Sequence, residues 1–186
     1  FRNPSLKELR QLLAAGDGLV RTMTLAPELK GGKGLIQLCR KNGVVPAFGH
    51  SNSDYEGTRT AISHGIRYAT HLFNAMNGIH HRSPGAVTAL LEDPRVSVEV
   101  ISDGHHVDPP ALRLINRLKN EERVILVSDS IQACGLADGR YQFAGVDVYL
   151  KEGVVRQKNG TLAGSALTLE KALAVQVKQA GEPLEK

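Results

Sequence analysis

Four apolar runs in this chain each give way abruptly to a short polar segment that carries histidine or aspartate. VVPAF is followed by Gly49-His50-Ser51-Asn52, IRYA by Thr70-His71-Leu72-Phe73-Asn74-Ala75-Met76, VSVEVI by Ser102-Asp103-Gly104-His105-His106, and RVILV by Ser128-Asp129-Ser130. In a parallel α/β sheet or barrel the C-terminal strand ends open onto one face, and that face carries the chemistry. The steps from His50 to His71, to His106 and to Asp129 are 21, 35 and 23 residues. Each is close to one strand–helix unit, since a βαβ motif takes about 30 or more residues. The spacing therefore predicts that three histidines and one aspartate converge on one pocket, a pattern suited to metal-dependent hydrolysis.

The rest of the chain supports that alternation. Pro4-Ser5-Leu6-Lys7-Glu8 reads as a helix start with a capping box of Ser5 against Glu8, and Leu6, Leu9, Leu12 and Leu13 form its apolar stripe. A strand is expected over 19–25, a helix over 34–41 and a strand over 44–48. Ser53 and Glu56 suggest a second capping box for a helix that Gly65 stops. A strand at 66–69 precedes a helix with Ser83 as N-cap and Pro84 at its first position. A strand at 96–101, a helix carrying Leu112, Ile115 and Leu118 on one face, and a strand at 124–127 complete five such units. Residues 140–164 then change character, with Gly153 and Asn159-Gly160 as hairpin signals, before a last helix from about residue 167 to 179.

Five units in a row predict an α/β fold of the (β/α) TIM-barrel type rather than a doubly wound sheet, because no strand is followed by a glycine-rich dinucleotide loop. A complete barrel takes about 250 residues. The expected organisation is a partial barrel over 1–139, about five of eight units, return strands of a small β-sandwich over 140–164, and a helix over 165–186 that returns to the barrel. A chain that starts at Phe1 and stops at Lys186 soon after a helical run reads as a piece of a longer polypeptide.

Composition narrows the function. A net charge of +4 is scattered without a basic run and aromatics make up 4%, which argues against a nucleic-acid surface. The apolar runs are strand-length, so no membrane partner is expected. Cys39 and Cys134 have no framework spacing, which favours a reducing cytoplasm.

Imidazole is the commonest ligand of zinc-type sites, and two histidines at successive strand ends outweigh the bland alternative that each only ties down a loop. Asp129 follows a fully apolar strand, where an unpaired carboxylate is costly. It suits proton transfer from an activated water to a leaving amine, with a helix N-cap as the alternative. One of His105 and His106 is suited to binding substrate or steadying an oxyanion. Arg82, in the long loop with Asn74 and Ala75, suits bidentate recognition of phosphate or carboxylate, a solvated loop arginine being the alternative.

At these residues the chain resembles the N-acetylglucosamine-6-phosphate deacetylases of the amidohydrolase superfamily. The resemblance rests on TLAPE (24–28), GHSN (49–52), ATHLFNAM (69–76), RSPG (82–85), SDGHHVD (102–108), VSDS (127–130) and NGTLAGS (159–165). It implies a metal-dependent barrel with a small β-sandwich. It also implies His50 and His71 as metal ligands, zinc before iron, Asp129 as the catalytic residue, and His106 as substrate-binding. Asn74, Ala75, Arg82, Leu162, Ala163 and Gly164 match positions that hold the sugar phosphate. A phosphorylated amino sugar as substrate and a homodimer as assembly follow from the same resemblance. So does a glutamate ligand in a segment resembling HLEGP, which these 186 residues do not contain. The alternatives are another amidohydrolase or deaminase, against which Arg82 and Asn74 weigh, and a catalytically incomplete fragment.

Overall fold

A computed structural model of the chain describes residue 3 and residues 5–184. Pro4, named above at the first helix start, and the terminal Phe1 and Lys186 lie outside the described residues. The chain divides into two compact units. One takes in the chain up to Glu99 together with Leu118–Ile125, the other Val100–Arg117 together with the chain from Leu126 onward.

The first unit is built on a five-stranded sheet of order β1-β2-β3-β4-β5. Its strands are β1 (Thr22–Leu25), β2 (Val45–Phe48), β3 (Tyr68–Ala69), β4 (Ser97–Val100) and β5 (Val124–Leu126). β1 to β4 pair in parallel, with Leu25 opposite Phe48, Phe48 opposite Ala69, and Ala69 opposite Val98. Strands covered on both faces need apolar residues throughout, and Ala47, Phe48, Ala69 and Val98 are accordingly buried. Pro46 is tolerated inside β2 for a local reason. Val45 N bonds back toward β1 through Arg21 O, so position 46 faces the β3 side, and β3 pairs only from Ala47 onward.

Helices separate these strands: α1 (Leu6–Ala15), α2 (Gly32–Lys41), α3 (Tyr55–His64) and α4 (Gly85–Glu92). Ser5 caps α1 as expected, accepting from Glu8 N at 3.4 Å, but of the leucine stripe only Leu9 is buried. Two caps differ from the sequence reading by one residue. Asp54, not Ser53, caps α3, accepting from Gly57 N at 2.8 Å. Pro84, not Ser83, occupies the N-cap of α4 and has no side-chain bond to give. Ser53 N–H instead bonds Ser51 Oγ at 3.1 Å, in the turn before the helix.

In the second unit α5 (Pro109–Leu118) buries Leu112 and Ile115, while Leu118 at its end stays exposed. β6 (Gly139–Phe143), β7 (Val146–Lys151) and β8 (Val154–Gln157) form a separate antiparallel sheet. Its two tight turns, Ala144-Gly145 and Glu152-Gly153, hold both central residues at positive φ, the conformation that matches the twist of a hairpin. Val148, Leu150 and Val155 pack with Ile131, Ala133, Ala163 and Ala166. Thr168 caps α6 (Leu169–Val175), which runs on into a π-helical turn, Gln176–Ala180. Asn116 Nδ2 donates to Gln176 Oε1 at 2.9 Å and Arg113 Nη1 to Gln179 O at 3.0 Å, fastening that turn to α5.

Lys119 is the most deeply buried cation described in the first unit, 4% exposed. Its ammonium donates to Asp93 O at 2.6 Å and Val96 O at 2.9 Å, joining the end of α4 to the approach to β4. Burial holds its pKa down to about 8, although the charge of Asp93 works in the opposite direction. The open chain titrates at about 10.4, so between these values the unfolded state binds more protons and stability rises with pH. Lys119's contribution is complete above the unfolded value and is lost as pH falls through about 8. Urea unfolding of the wild type and of Lys119→Met should therefore give a difference in stability that changes across this window and is flat below it.

Candidate active site

Parallel pairing brings the C-terminal ends of β1, β2 and β3 to one edge of the first unit. There the backbone turns sharply. His50 (φ 49°), His71 (φ 29°), Phe73 (φ 76°) and Ala75 (φ 51°) all lie in the left-handed region, uncommon for residues with a Cβ and concentrated at functional sites. The turn after β2 requires glycine for a different reason. A Cβ on Gly49 would stand 2.6 Å from Thr70 Cγ2 and 2.7 Å from Thr24 Cγ2.

The two imidazoles meet. His50 Nε2 and His71 Nε2 are 3.0 Å apart, with the rings edge to face at 86°. His71 is buried and its Nδ1 has no hydrogen-bond partner among the described residues. Two nitrogen ligands at about 2.0–2.1 Å from a tetrahedral zinc stand about 3.3 Å apart, so the observed separation fits a shared ion. Among the described residues no group of three or more His, Cys, Asp or Glu side chains is placed to hold one.

Carboxylates hold both loops. Glu99, on β4, accepts from Tyr68 Oη at 2.7 Å, Thr70 Oγ1 at 2.8 Å and His71 N at 3.2 Å. Burial, and then the bond to Glu99, push the Tyr68 phenol well above its usual range. Glu28, after β1, accepts from Ser51 Oγ at 2.6 Å and Asn52 N at 2.8 Å. The Asn74 amide donates to His71 O and Leu72 O, Asn77 donates to Asn52 O and Ser53 O, and Ala75 O accepts from Ser51 N. Arg82 sits in the exposed stretch after this lacework, its Nη1 2.7 Å from His81 Nε2. Glu28, Glu99 and Asn77 were not singled out from sequence. The signal for Glu99 was a carboxylate inside VSVEVI, a run whose other residues are apolar or small.

The second unit carries the remaining predicted residues. Asp129 is exposed and left-handed (φ 48°), and its carbonyl accepts from Ser165 N at 2.9 Å. Ile131 N donates to Ser165 O at 3.0 Å, and Ser165 Oγ donates to Ser128 O. The segment Leu162-Ala163-Gly164 runs alongside. Leu162 is half-buried, Ala163 belongs to the core beneath the antiparallel sheet, and Gly164 (φ 65°) leaves no room for a Cβ, which would lie 2.5 Å from Ile131 Cγ2. His106 Nδ1 is 2.6 Å from Asp103 Oδ2. Burial raises the Asp103 pKa, but hydrogen bonds from the His106 ring and from the His106 and His105 N–H groups outweigh it and leave the carboxyl below its usual range.

No protein-family model matches the chain. Over 181 residues, 97% of its length, it is 40% identical to a protein of Escherichia coli O157:H7 named N-acetylgalactosamine-6-phosphate deacetylase, covering 48% of that protein. It is 38% identical over 169 residues to the N-acetylglucosamine-6-phosphate deacetylase of Vibrio furnissii, covering 91% of this chain and 42% of that one. Among solved structures, a mutant N-acetyl-D-glucosamine-6-phosphate deacetylase of Mycobacterium smegmatis, in complex with N-acetyl-D-glucosamine-6-phosphate, superposes with a TM-score of 0.94 at 40% identity, over 99% of this chain and 49% of that one. The enzyme of Pasteurella multocida gives 0.91 at 32% identity. The chain thus spans about half the length of the relatives it matches, and it corresponds to their C-terminal part.

Gly164→Ala combines a strained φ with an overlap on Ile131, each worth about 1–3 kcal/mol. It should lower stability by at least about 2 kcal/mol in urea unfolding, whereas Gly160→Ala, also at positive φ but in open space, should show the strain alone and lose at least about 1 kcal/mol less.

Proposed function

We propose that this chain carries part of the active site of a metal-dependent hydrolase that removes the acetyl group from N-acetylglucosamine 6-phosphate, giving glucosamine 6-phosphate and acetate. The observation that carries the reading is the pair of imidazoles 3.0 Å apart at neighbouring parallel strand ends, both left-handed, in a chain whose relatives are named for this reaction. His50 and His71 would hold a divalent ion, zinc before iron, with at least one further ligand. Such an ion acidifies a water and polarises the acetyl carbonyl.

Asp129 takes the proton of the attacking water as the new C–O bond forms, then returns it to the nitrogen as the C–N bond breaks, so the amine leaves neutral. His106 binds the substrate and orients its acetamido group. Arg82, with Asn74 and Ala75, and the Leu162-Ala163-Gly164 segment bind the sugar phosphate. The Asn74 amide is engaged by backbone carbonyls, which favours contact through its loop rather than its side chain. The parallel strand order supports a (β/α) barrel as the parent fold, and the antiparallel strands support an attached β-sandwich. Unpaired Cys39 and Cys134 are in keeping with a cytoplasmic location, and the resemblance carries a homodimer. No helix among the described residues is long and apolar enough to cross a membrane.

The galactosamine epimer is the second reading, because the Escherichia coli O157:H7 relative bears that name. Comparing kcat/KM for the two 6-phosphates decides between them, and activity on neither removes both. In the intact protein Asp129→Asn should lose about 10²–10⁴-fold in kcat with metal content kept. Near-normal turnover would take Asp129 out of the mechanism. Arg82→Ala should cost the phosphorylated substrate roughly 10- to 150-fold in kcat/KM, a charge-assisted bond of about 1.5–3 kcal/mol, and leave the unphosphorylated sugar unchanged. Equal losses on both would make Arg82 structural.

A further inference from the structure

The Asp103 carboxylate divides its work between its two oxygens. Oδ1 accepts from His105 N at 2.8 Å and His106 N at 2.7 Å, while Oδ2 meets His106 Nδ1 at 2.6 Å. Both side chains are largely buried, at 6% exposure for His106 and 11% for Asp103. An ionised carboxylate only accepts hydrogen bonds, so the ring nitrogen facing it must carry a proton. We infer that Asp103 is a positioning residue that fixes the His106 ring with its proton on Nδ1 and leaves Nε2 as the nitrogen that meets substrate. This rests on the reading of His106 as a substrate-binding residue. The chemistry it would serve is recognition of the acetamido group or a sugar hydroxyl by a ring nitrogen of fixed position and protonation.

The division of labour makes a sharp test. In Asp103→Asn the amide oxygen is pinned at the Oδ1 position, because two backbone N–H groups point there. The NH₂ group then falls where Oδ2 was. A donor faces Nδ1, and the neutral ring must move its proton to Nε2. Fold and charge-independent shape are kept, while the nitrogen offered to substrate changes character.

The experiment is a long-range ¹H–¹⁵N correlation spectrum of the intact protein labelled in its imidazoles, at mildly alkaline pH, with assignment by His106→Gln. The wild type should show a protonated His106 Nδ1, and Asp103→Asn a protonated Nε2 and bare Nδ1. With it, kcat/KM on the 6-phosphate substrate should fall about 5- to 150-fold, the cost of leaving one hydrogen-bonding group at the substrate unpaired. A bare Nδ1 in the wild type overturns the inference, and that spectrum needs no variant to fold. So does an Asp103→Asn protein that keeps the wild-type ring state and turns over within about twofold of normal. If the wild type hydrolyses neither epimer yet the ring proton moves as expected, the positioning role stands and the deacetylase reading falls.

Discussion

On one carboxylate, that of Glu99, depends the shape of the loop that follows β3. Three donors converge on it: a phenol, a hydroxyl and the backbone N–H of His71. β3 pairs over only two residues, Tyr68 and Ala69, too few to hold its own exit in an unusual conformation. The charge on the neighbouring strand supplies the restraint, and hydrogen bonds to a carboxylate are roughly twice as strong as neutral ones. With residue 71 held left-handed, its ring meets that of His50. Glu28 does the same for the loop after β2. The loops that carry the two imidazoles are thus held in place by acidic groups.

The second unit uses a related device with different parts. Asp103 binds two backbone N–H groups and one ring nitrogen, and Asp129 is set by a strand-like bridge from Ser130 to Ser165. At Asp129 packing does the work that charge does in the first unit, since the restraining segment is anchored through Ala163 in an apolar core. Leu162-Ala163-Gly164 therefore has a structural task in addition to the sugar-phosphate contact proposed for it.

Much of this was legible in the sequence because periodicity reports burial. The apolar runs gave the strands, and the sudden polar segments after them located the histidines and aspartates. Two caps were misplaced by one residue, since Ser53 and Asp54 are both competent acceptors. In the structure Asp54 takes the role, its Oδ1 accepting from Gly57 N. Glu28 and Glu99 were invisible as partners, because their roles come from three-dimensional convergence of donors that lie up to 31 residues away. The leucine stripe of α1 was read correctly as amphipathic, yet Leu12 remains 57% exposed. Period alone says that a face is apolar and not what covers it.

The slot occupied by Gly49 ties three positions into one heritable unit. Its neighbours are the γ-methyl groups of Thr24 and Thr70, one on β1 and one just past β3. A side chain can enter at 49 only if one of those threonines has first become smaller, and a bulkier residue at 24 or 70 is tolerated only while 49 stays bare. Among descendants of this sequence the three sites should drift together or not at all. A replacement acceptable in one lineage would then be poison in another that differs at a residue 21 or 25 positions away in the chain.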